Sequence, residues 1–279
     1  MKRLLVVAAT LLALVVTIAA CQAAPTATST PQPTATKGPA APAPEAAAAT
    51  PTTAPTKAPP TPSPVAKAKS EGKITIALPE EPASLEHFFA DSTSGYPAIR
   101  NMQEALLNRD PKTNELIGEL ATKWEQIKPD TWRFTLRKEV KFQNGEPLEA
   151  EGTAFGINRS FSTELKSRLL SYMGPKITAK AVDASTVDVT TAAPDPILPG
   201  RIYFAPLPAP KQAKDSPEEL ATKSFGTGPY KLVEWARGQY IKMTANEDYW
   251  GGAPKIKDVV MTFRTEGAVR AAMVRTGEA

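Results

Sequence analysis

The stretch Trp132-Arg133-Phe134-Thr135-Leu136-Arg137-Lys138-Glu139-Val140-Lys141-Phe142 decides how the rest of the chain is read. Trp132, Phe134 and Leu136 fall on one side of an extended chain, and Arg133, Thr135 and Arg137 on the other. A period of two marks a half-buried strand. Val140 and Phe142 continue the alternation, and Asn144-Gly145 closes it with a tight turn. Helical spacing follows from Ala150 to Phe161. Upstream, Ile74, Ile76 and Leu78 alternate in Lys73–Leu78, a strand ended by Pro79 and Pro82. Pro97 to Leu107 carries Ile99, Met102, Ala105 and Leu106 at helical spacing. Downstream, Thr186–Thr190, Tyr230–Val233, Tyr240–Thr244 and Val259–Phe263 read as strands, and Gly267 to Arg275 as a helix without a terminal cap signal. Strands and helices mixed in this way define an α/β or α+β domain.

The N-terminal region of the chain differs in kind from this folded part. Lys2 and Arg3 precede Leu4 to Ala20, an apolar run interrupted only by Thr10 and Thr17. The run is at the short edge of a membrane span and fits the core of an export signal better. Ile18-Ala19-Ala20-Cys21 resembles the bacterial lipoprotein box, which makes Cys21 the expected lipidation site; the alternative is a retained membrane helix with an incidental cysteine. Residues 22–71 form a Pro/Thr/Ala-rich linker, with twelve of the 28 prolines and no aromatic residue. Such a segment cannot bury enough apolar surface to fold. Fully extended, it reaches at most roughly 150 Å at about 3.1 Å per residue.

Charge and composition exclude several functions. Of the 33 basic and 29 acidic residues, residues 71–279 hold 27 and 28, so the excess of positive charge belongs to the leader and linker. A nucleic-acid partner is therefore not expected, since such binding needs basic residues on the folded surface. One Cys and one His exclude a disulfide framework within the chain and a multi-histidine metal site. His87, with Ser84 before it, has no triad spacing and reads as a surface or loop residue. No paired carboxylates stand out, so no enzyme activity, metal or cofactor is expected.

Five ordered stretches resemble the extracellular solute-binding proteins (family 5) that serve oligopeptide, dipeptide and nickel ABC transporters. They are Ile74–Ala77 with Pro82-Ala83-Ser84-Leu85; Glu104–Pro111; Leu120–Trp124 with Trp132–Phe142, Asn144–Leu148 and Ala150; Gly226–Leu232; and Asn246–Gly252 with Pro254–Ile256. One departure is Gly152, where the family usually has an acid able to cap the following helix. The resemblance implies a periplasmic-binding-protein-like α/β fold of the type II, bilobed kind. It also implies that most of the second large lobe is missing, so that the chain is C-terminally truncated. Residues 72–279 would then be the first part of the solute-binding domain, with a smaller insert subdomain at about 105–190.

The function implied is that of a lipid-anchored receptor, at the cell surface or in the periplasm. It would be monomeric, hold a peptide or other small solute, and deliver it to ABC permease subunits. By the same resemblance the ligand-facing candidates are Glu81, Ser84, Leu85 and Glu86 after the first strand, and Tyr249, Trp250 and Gly251 in the later turn. Glu81 or Glu86 could pair with a ligand ammonium group, and Tyr249 and Trp250 could offer flat contact. The structural alternative for Trp250 is packing, as expected for Trp124, Trp132, Phe134 and Phe142. Gly226-Thr227-Gly228-Pro229 lacks the Gly-Lys-Ser/Thr ending of a phosphate loop and reads as a turn into a strand. The alternative function is a surface lipoprotein with a scaffold or adhesion role.

Overall fold

The computed structural model describes residues 69–89, 95–173 and 176–279. Cys21, the leader and nearly all of the linker lie outside the described residues. In chain order the elements are β1 (Glu71–Leu78), α1 (Gly95–Met102), β2 (Leu107–Arg109), β3 (Leu116–Gly118), β4 (Ala121–Lys128) and β5 (Thr131–Leu136). They continue with α2 (Ala150–Ser160), α3 (Leu169–Met173), β6 (Ile177–Asp183), β7 (Thr186–Thr191), α4 (Leu198–Ile202) and α5 (Pro210–Asp215). A 3₁₀ turn at Pro217–Ala221 leads to β8 (Tyr230–Ala236), β9 (Tyr240–Ala245), β10 (Ile256–Phe263) and α6 (Gly267–Thr276).

Two four-stranded sheets organise these elements. The first has the order β1-β10-β9-β8. β1 lies parallel to β10, with Ile74 opposite Val259 and Ile76 opposite Met261. The β10–β9 and β9–β8 pairs are antiparallel. A core of Leu85, Ile99, Met102, Ile241, Met243, Met261 and Phe263 joins this sheet to α1. The second sheet, β4-β5-β7-β6, is antiparallel throughout. Its core contains Phe134, Leu136, Val187 and Val189, together with Ile157 of α2 and Leu198 and Ile202 of α4. Burying a side chain of this size stabilises the fold by about 1.5–3 kcal/mol. β2 and β3 form a short separate ribbon.

α2 follows from its sequence: Ala150, Thr153, Ala154, Gly156, Ile157 and Ser160 are buried at helical spacing. The helix starts after Glu149 without a side-chain cap. The reason for Gly152 is packing. A Cβ there would lie 2.6 Å from Cγ of Pro210 at the start of α5. A capping acid at 152 would displace α5, so close packing takes the place of the cap.

Several sequence expectations need correction. The helix read over Pro97–Leu107 ends at Met102, because Leu107 is needed in β2. The alternation through Val140 and Phe142 is not strand: β5 stops at Leu136, and Glu139 takes a left-handed φ of 63°. Val140 and Phe142 are still buried, on an irregular loop in which Lys141 makes one bridge to Pro147. α6 does have a terminal cap. Gly277 has φ 77° and donates its N–H to the last turn, the left-handed ending that glycine permits. Trp124 and Trp132 are half-buried and pack against the second-sheet core.

Candidate functional site

The loop leaving β1 was expected to carry ligand contacts, and the structure gives its side chains specific partners. Glu81 accepts from Trp235 Nε1 at 2.7 Å and from the Gly238 N–H at 3.0 Å, and pairs with Arg237 at 3.0 Å. This fastens the loop to the β8–β9 hairpin. Ser84 Oγ accepts the Glu86 N–H at 3.0 Å and shapes the turn. Leu85 is fully buried under α1, and Gln103 donates to its carbonyl at 3.1 Å. Glu86 pairs with Arg159 of α2 at 2.7 Å. Burial raises its pKa, against the opposing pull of Arg159.

His87 is not the surface residue its polarity suggested. It is 3% exposed, and its Nε2 lies 3.0 Å from Ser160 Oγ. Burial, reinforced by the charges of Arg100 and Arg159, pushes its pKa down to about 3. A neutral imidazole in this place is a packing and hydrogen-bonding group.

A second cluster forms around Glu104, which is 2% exposed and directly follows α1 and Gln103. Its carboxylate accepts from Tyr249 Oη at 2.6 Å, Trp250 Nε1 at 2.7 Å and Thr227 Oγ1 at 2.7 Å. Burial raises its pKa, and these donors oppose the rise. Beside it, Glu119 accepts from Arg100 at 2.9 Å, the Ala105 N–H at 2.8 Å and Asn108 at 2.8 Å. Burial lifts Glu119 to about 7; Arg100 opposes this and the charge of Glu104 adds to it.

The Gly226-Thr227-Gly228 turn can reach Glu104 only because it lies flat on the end of α1. A Cβ at Gly226 would sit 2.1 Å from the Met102 carbonyl oxygen, and one at Gly228 would sit 2.6 Å from that of Asn101. Gly251 lies under the Tyr249 ring, where a Cβ would be 2.7 Å from Cε1. The Arg137 guanidinium stands over the Trp250 ring at 4.1 Å. The polar atoms of Tyr249 and Trp250 are thus directed at Glu104, and the Trp250 face at Arg137. The sequence resemblance picked out Tyr249, Trp250 and Gly251 but missed Glu104. The available signal was an acid set within Met102-Gln103-Glu104-Ala105-Leu106-Leu107, a stretch apolar enough to be buried.

Beside the Glu81 fastening a concave mouth of about 420 Å³ opens at the carboxyl ends of β1 and β10. Pro79, Glu80, Glu81, Phe263, Arg264 and Glu266 line it. In open α/β sheets this is where ligands bind, outside the carboxyl ends of the strands. Glu81 is already paired with Arg237, so Glu80 and Glu266 are the carboxylates set against Arg264 over the apolar floor, and they suit a small solute carrying a positive group. A larger groove of about 770 Å³ runs along Phe161, Leu170 and Ile177 beside α2. Among the described residues no three His, Cys, Asp or Glu side chains are grouped to hold a metal ion. No described helix is long and apolar enough to cross a membrane.

The chain thus combines a parallel β1–β10 pair beside an open mouth with an antiparallel sheet inserted between the two strands in sequence. Residues 115–279 match the family described as bacterial extracellular solute-binding proteins, family 5 Middle, and the chain belongs to that family. The nickel-binding periplasmic protein of Escherichia coli is 32% identical over 58% of this chain and 32% of its own length. A Brucella ovis protein named as an ABC transporter peptide-binding protein is 27% identical over 67% of this chain and 37% of its own length. The chain thus spans about a third of the length of the curated relatives it matches. Among solved structures, the Helicobacter pylori periplasmic binding protein DppA, in complex with the peptide STSA, superposes with a TM-score of 0.68. That match has 24% identity and covers 74% of this chain and 45% of the other. The fold is therefore the mixed α/β, periplasmic-binding-protein-like one.

Proposed function

We propose that this chain is the solute-capturing part of a lipid-anchored extracytoplasmic receptor that takes a peptide or peptide-like solute and delivers it to an ABC permease. The observation that carries the reading is the acid-rimmed mouth at the carboxyl ends of β1 and β10, in a chain of this family. The relatives named for peptides and for nickel fit a family of receptors for small solutes. Lipidation at Cys21 and the Pro/Thr/Ala-rich linker would place the domain away from the membrane surface while keeping it tethered. Two anchoring signals are needed for stable attachment, which a lipid-modified cysteine with more than one chain provides.

In this reading residues 72–279 are the first part of the solute-binding domain, with residues 105–190 its smaller insert subdomain. Glu80 and Glu266 receive the ligand's ammonium group, beside the Glu81–Arg237 pair. Ser84, Leu85 and Glu86 hold the loop that presents Glu81, and Tyr249, Trp250 and Gly251 pack about Glu104 away from the mouth. One lobe leaves the ligand partly in water, so binding by this chain alone is weak.

Tri-alanine titrated into the 279-residue chain should give saturable, millimolar-range NMR shifts at residues 79–81 and 264–266. N-acetyl-tri-alanine, lacking the ammonium group, should bind at least tenfold more weakly, a difference of about 1.4 kcal/mol. No response to tri-alanine or to any of a panel of di- to hexapeptides would overturn the proposal.

A further inference from the structure

The charged groups of the mouth differ in how far the protein itself engages them. Glu81 is held within the fold, since Trp235 Nε1, the Gly238 N–H and Arg237 all reach its carboxylate. Glu80 and Glu266 line the same mouth and are exposed. Among the described residues neither carboxylate has a hydrogen-bond or ion-pair partner. Glu266 stands directly before α6, and its side chain does not cap that helix. Arg264 is the remaining charge of the mouth. Its Nη1 donates to the neighbouring Phe263 carbonyl at 2.6 Å, and among the described residues no carboxylate closes on it.

The sheet fixes where these groups stand. Leu78 and Phe263 are the last pair of the parallel β1–β10 register. Just beyond that pair the Arg264 N–H donates to the Leu78 carbonyl at 2.8 Å and holds the two strand ends together. Arg270 of α6 braces the turn that follows: its Nη1 donates to the Arg264 carbonyl at 2.6 Å and to the Thr265 carbonyl at 2.7 Å. Glu80 thus leaves one strand end and Glu266 the other, on either side of the apolar surface of Phe263 and Val269.

Two carboxylates and one guanidinium not paired within the protein leave the mouth with one negative charge. A peptide with neutral side chains is a zwitterion and brings no net charge in return. Its ammonium group occupies one carboxylate and leaves the other unanswered. In a concave site a remaining charge of one sign concentrates the field and favours a solute of the opposite sign.

We infer that the mouth is selective for short peptides with a basic side chain, Glu80 and Glu266 each receiving one of the peptide's two cationic groups. Arg264 limits the preference to a single extra positive charge. This rests on the receptor reading and adds to it the side-chain class of the solute.

The test uses the full chain, with NMR shifts at residues 79–81 and 264–266 as the readout. The probes are tri-alanine, Ala-Lys-Ala, Ala-norleucine-Ala and tri-alanine amide at equal ionic strength. Norleucine has a lysine-like apolar stem without the charge. Ala-Lys-Ala should bind about threefold more tightly than Ala-norleucine-Ala, the scale of one partly exposed ion pair. Tri-alanine amide has the same net charge as Ala-Lys-Ala but a single cationic group, so it should bind about threefold more weakly than Ala-Lys-Ala. The lysine preference should shrink as salt is added. Glu80→Gln and Glu266→Gln each leave one free carboxylate, and in both variants the lysine preference should vanish. Arg264→Gln should instead raise it by roughly a further threefold. The peptide comparisons on the unaltered chain keep the test decisive if a variant fails to fold. Equal binding of Ala-Lys-Ala and tri-alanine amide would trace the effect to bulk charge and overturn the inference. An undiminished preference in either glutamate variant, or a smaller one in Arg264→Gln, would also overturn it. Tri-alanine binding without any lysine preference would overturn it and leave the receptor reading standing. Silence with every probe would overturn both.

Discussion

A buried imidazole between two guanidinium groups resists protonation, and His87 is such a group. Its folded-state pKa of about 3 lies below the ordinary 6.5. The stability that comes from keeping it neutral is complete above pH 6.5 and is lost as pH falls from there toward 3. Glu119 acts in the opposite sense. Its pKa is raised to about 7, so the folded state gains relative stability as pH falls from 7 toward the ordinary carboxylate value. His87→Asn removes the first effect and keeps the second. Urea unfolding should show the stability gap between the unaltered chain and His87→Asn changing by about 2 kcal/mol, in favour of the variant, between pH 7 and pH 5. A gap independent of pH would show that His87 does not carry this linkage. The sequence did not reveal this environment. A lone polar residue near prolines reads as exposed, and only the fold brings Ser160, Arg100 and Arg159 to it. The place of Glu81 just past the first strand was legible, but its partners Trp235, Gly238 and Arg237 come from the sequence-distant β8–β9 hairpin and were not.

At the scale of elements, α2 shows how an edge is protected. β6 is the outer strand of its sheet and would present free backbone groups. Asn158 on α2 meets them with its side-chain amide: it accepts the Ala179 N–H at 2.7 Å and donates to the Ala179 carbonyl at 2.9 Å. Asn158→Ala leaves both groups without this partner. The lost hydrogen bonds outweigh the better helix propensity of alanine, so a net loss of about 1–2 kcal/mol is expected in urea unfolding. An unchanged midpoint would mean that water serves Ala179 equally well. The helix itself was legible from its apolar spacing, as were β1, β5 and β7 from alternation. β4 was not read as a strand. It exposes most of its residues, so its pattern gave only Trp124 to recognise. Its partner β5 supplies what propensity does not, through the antiparallel pairing of Trp124 with Phe134. The early end of α1 was likewise invisible locally, because the pull of β2 and β3 on Leu107 comes from pairing.

For the molecule as a whole, the outer edge of β1 and the length of α6 are the least covered regions described. β1 pairs with β10 alone, and α6 buries none of its residues although Val269 and Val274 are apolar. An open strand edge beside a helix with exposed valines invites association. Sedimentation velocity of the 279-residue chain should show reversible self-association that grows up to about 100 µM, a range in which such surfaces pair. Substituting Val274→Lys should weaken it several-fold, and a single monomeric species at every concentration would refute the expectation. The parallel pairing of Ile74 with Val259 also constrains the history of each molecule. Glu71–Leu78 is made early, and the neighbour it has in the sheet among the described residues, Ile256–Phe263, is made only after all the strands between them. A polypeptide emerging N-terminus first must therefore hold that opening strand in reserve. Threaded through a membrane in this direction, it would arrive on the far side with its founding sheet still unbuilt.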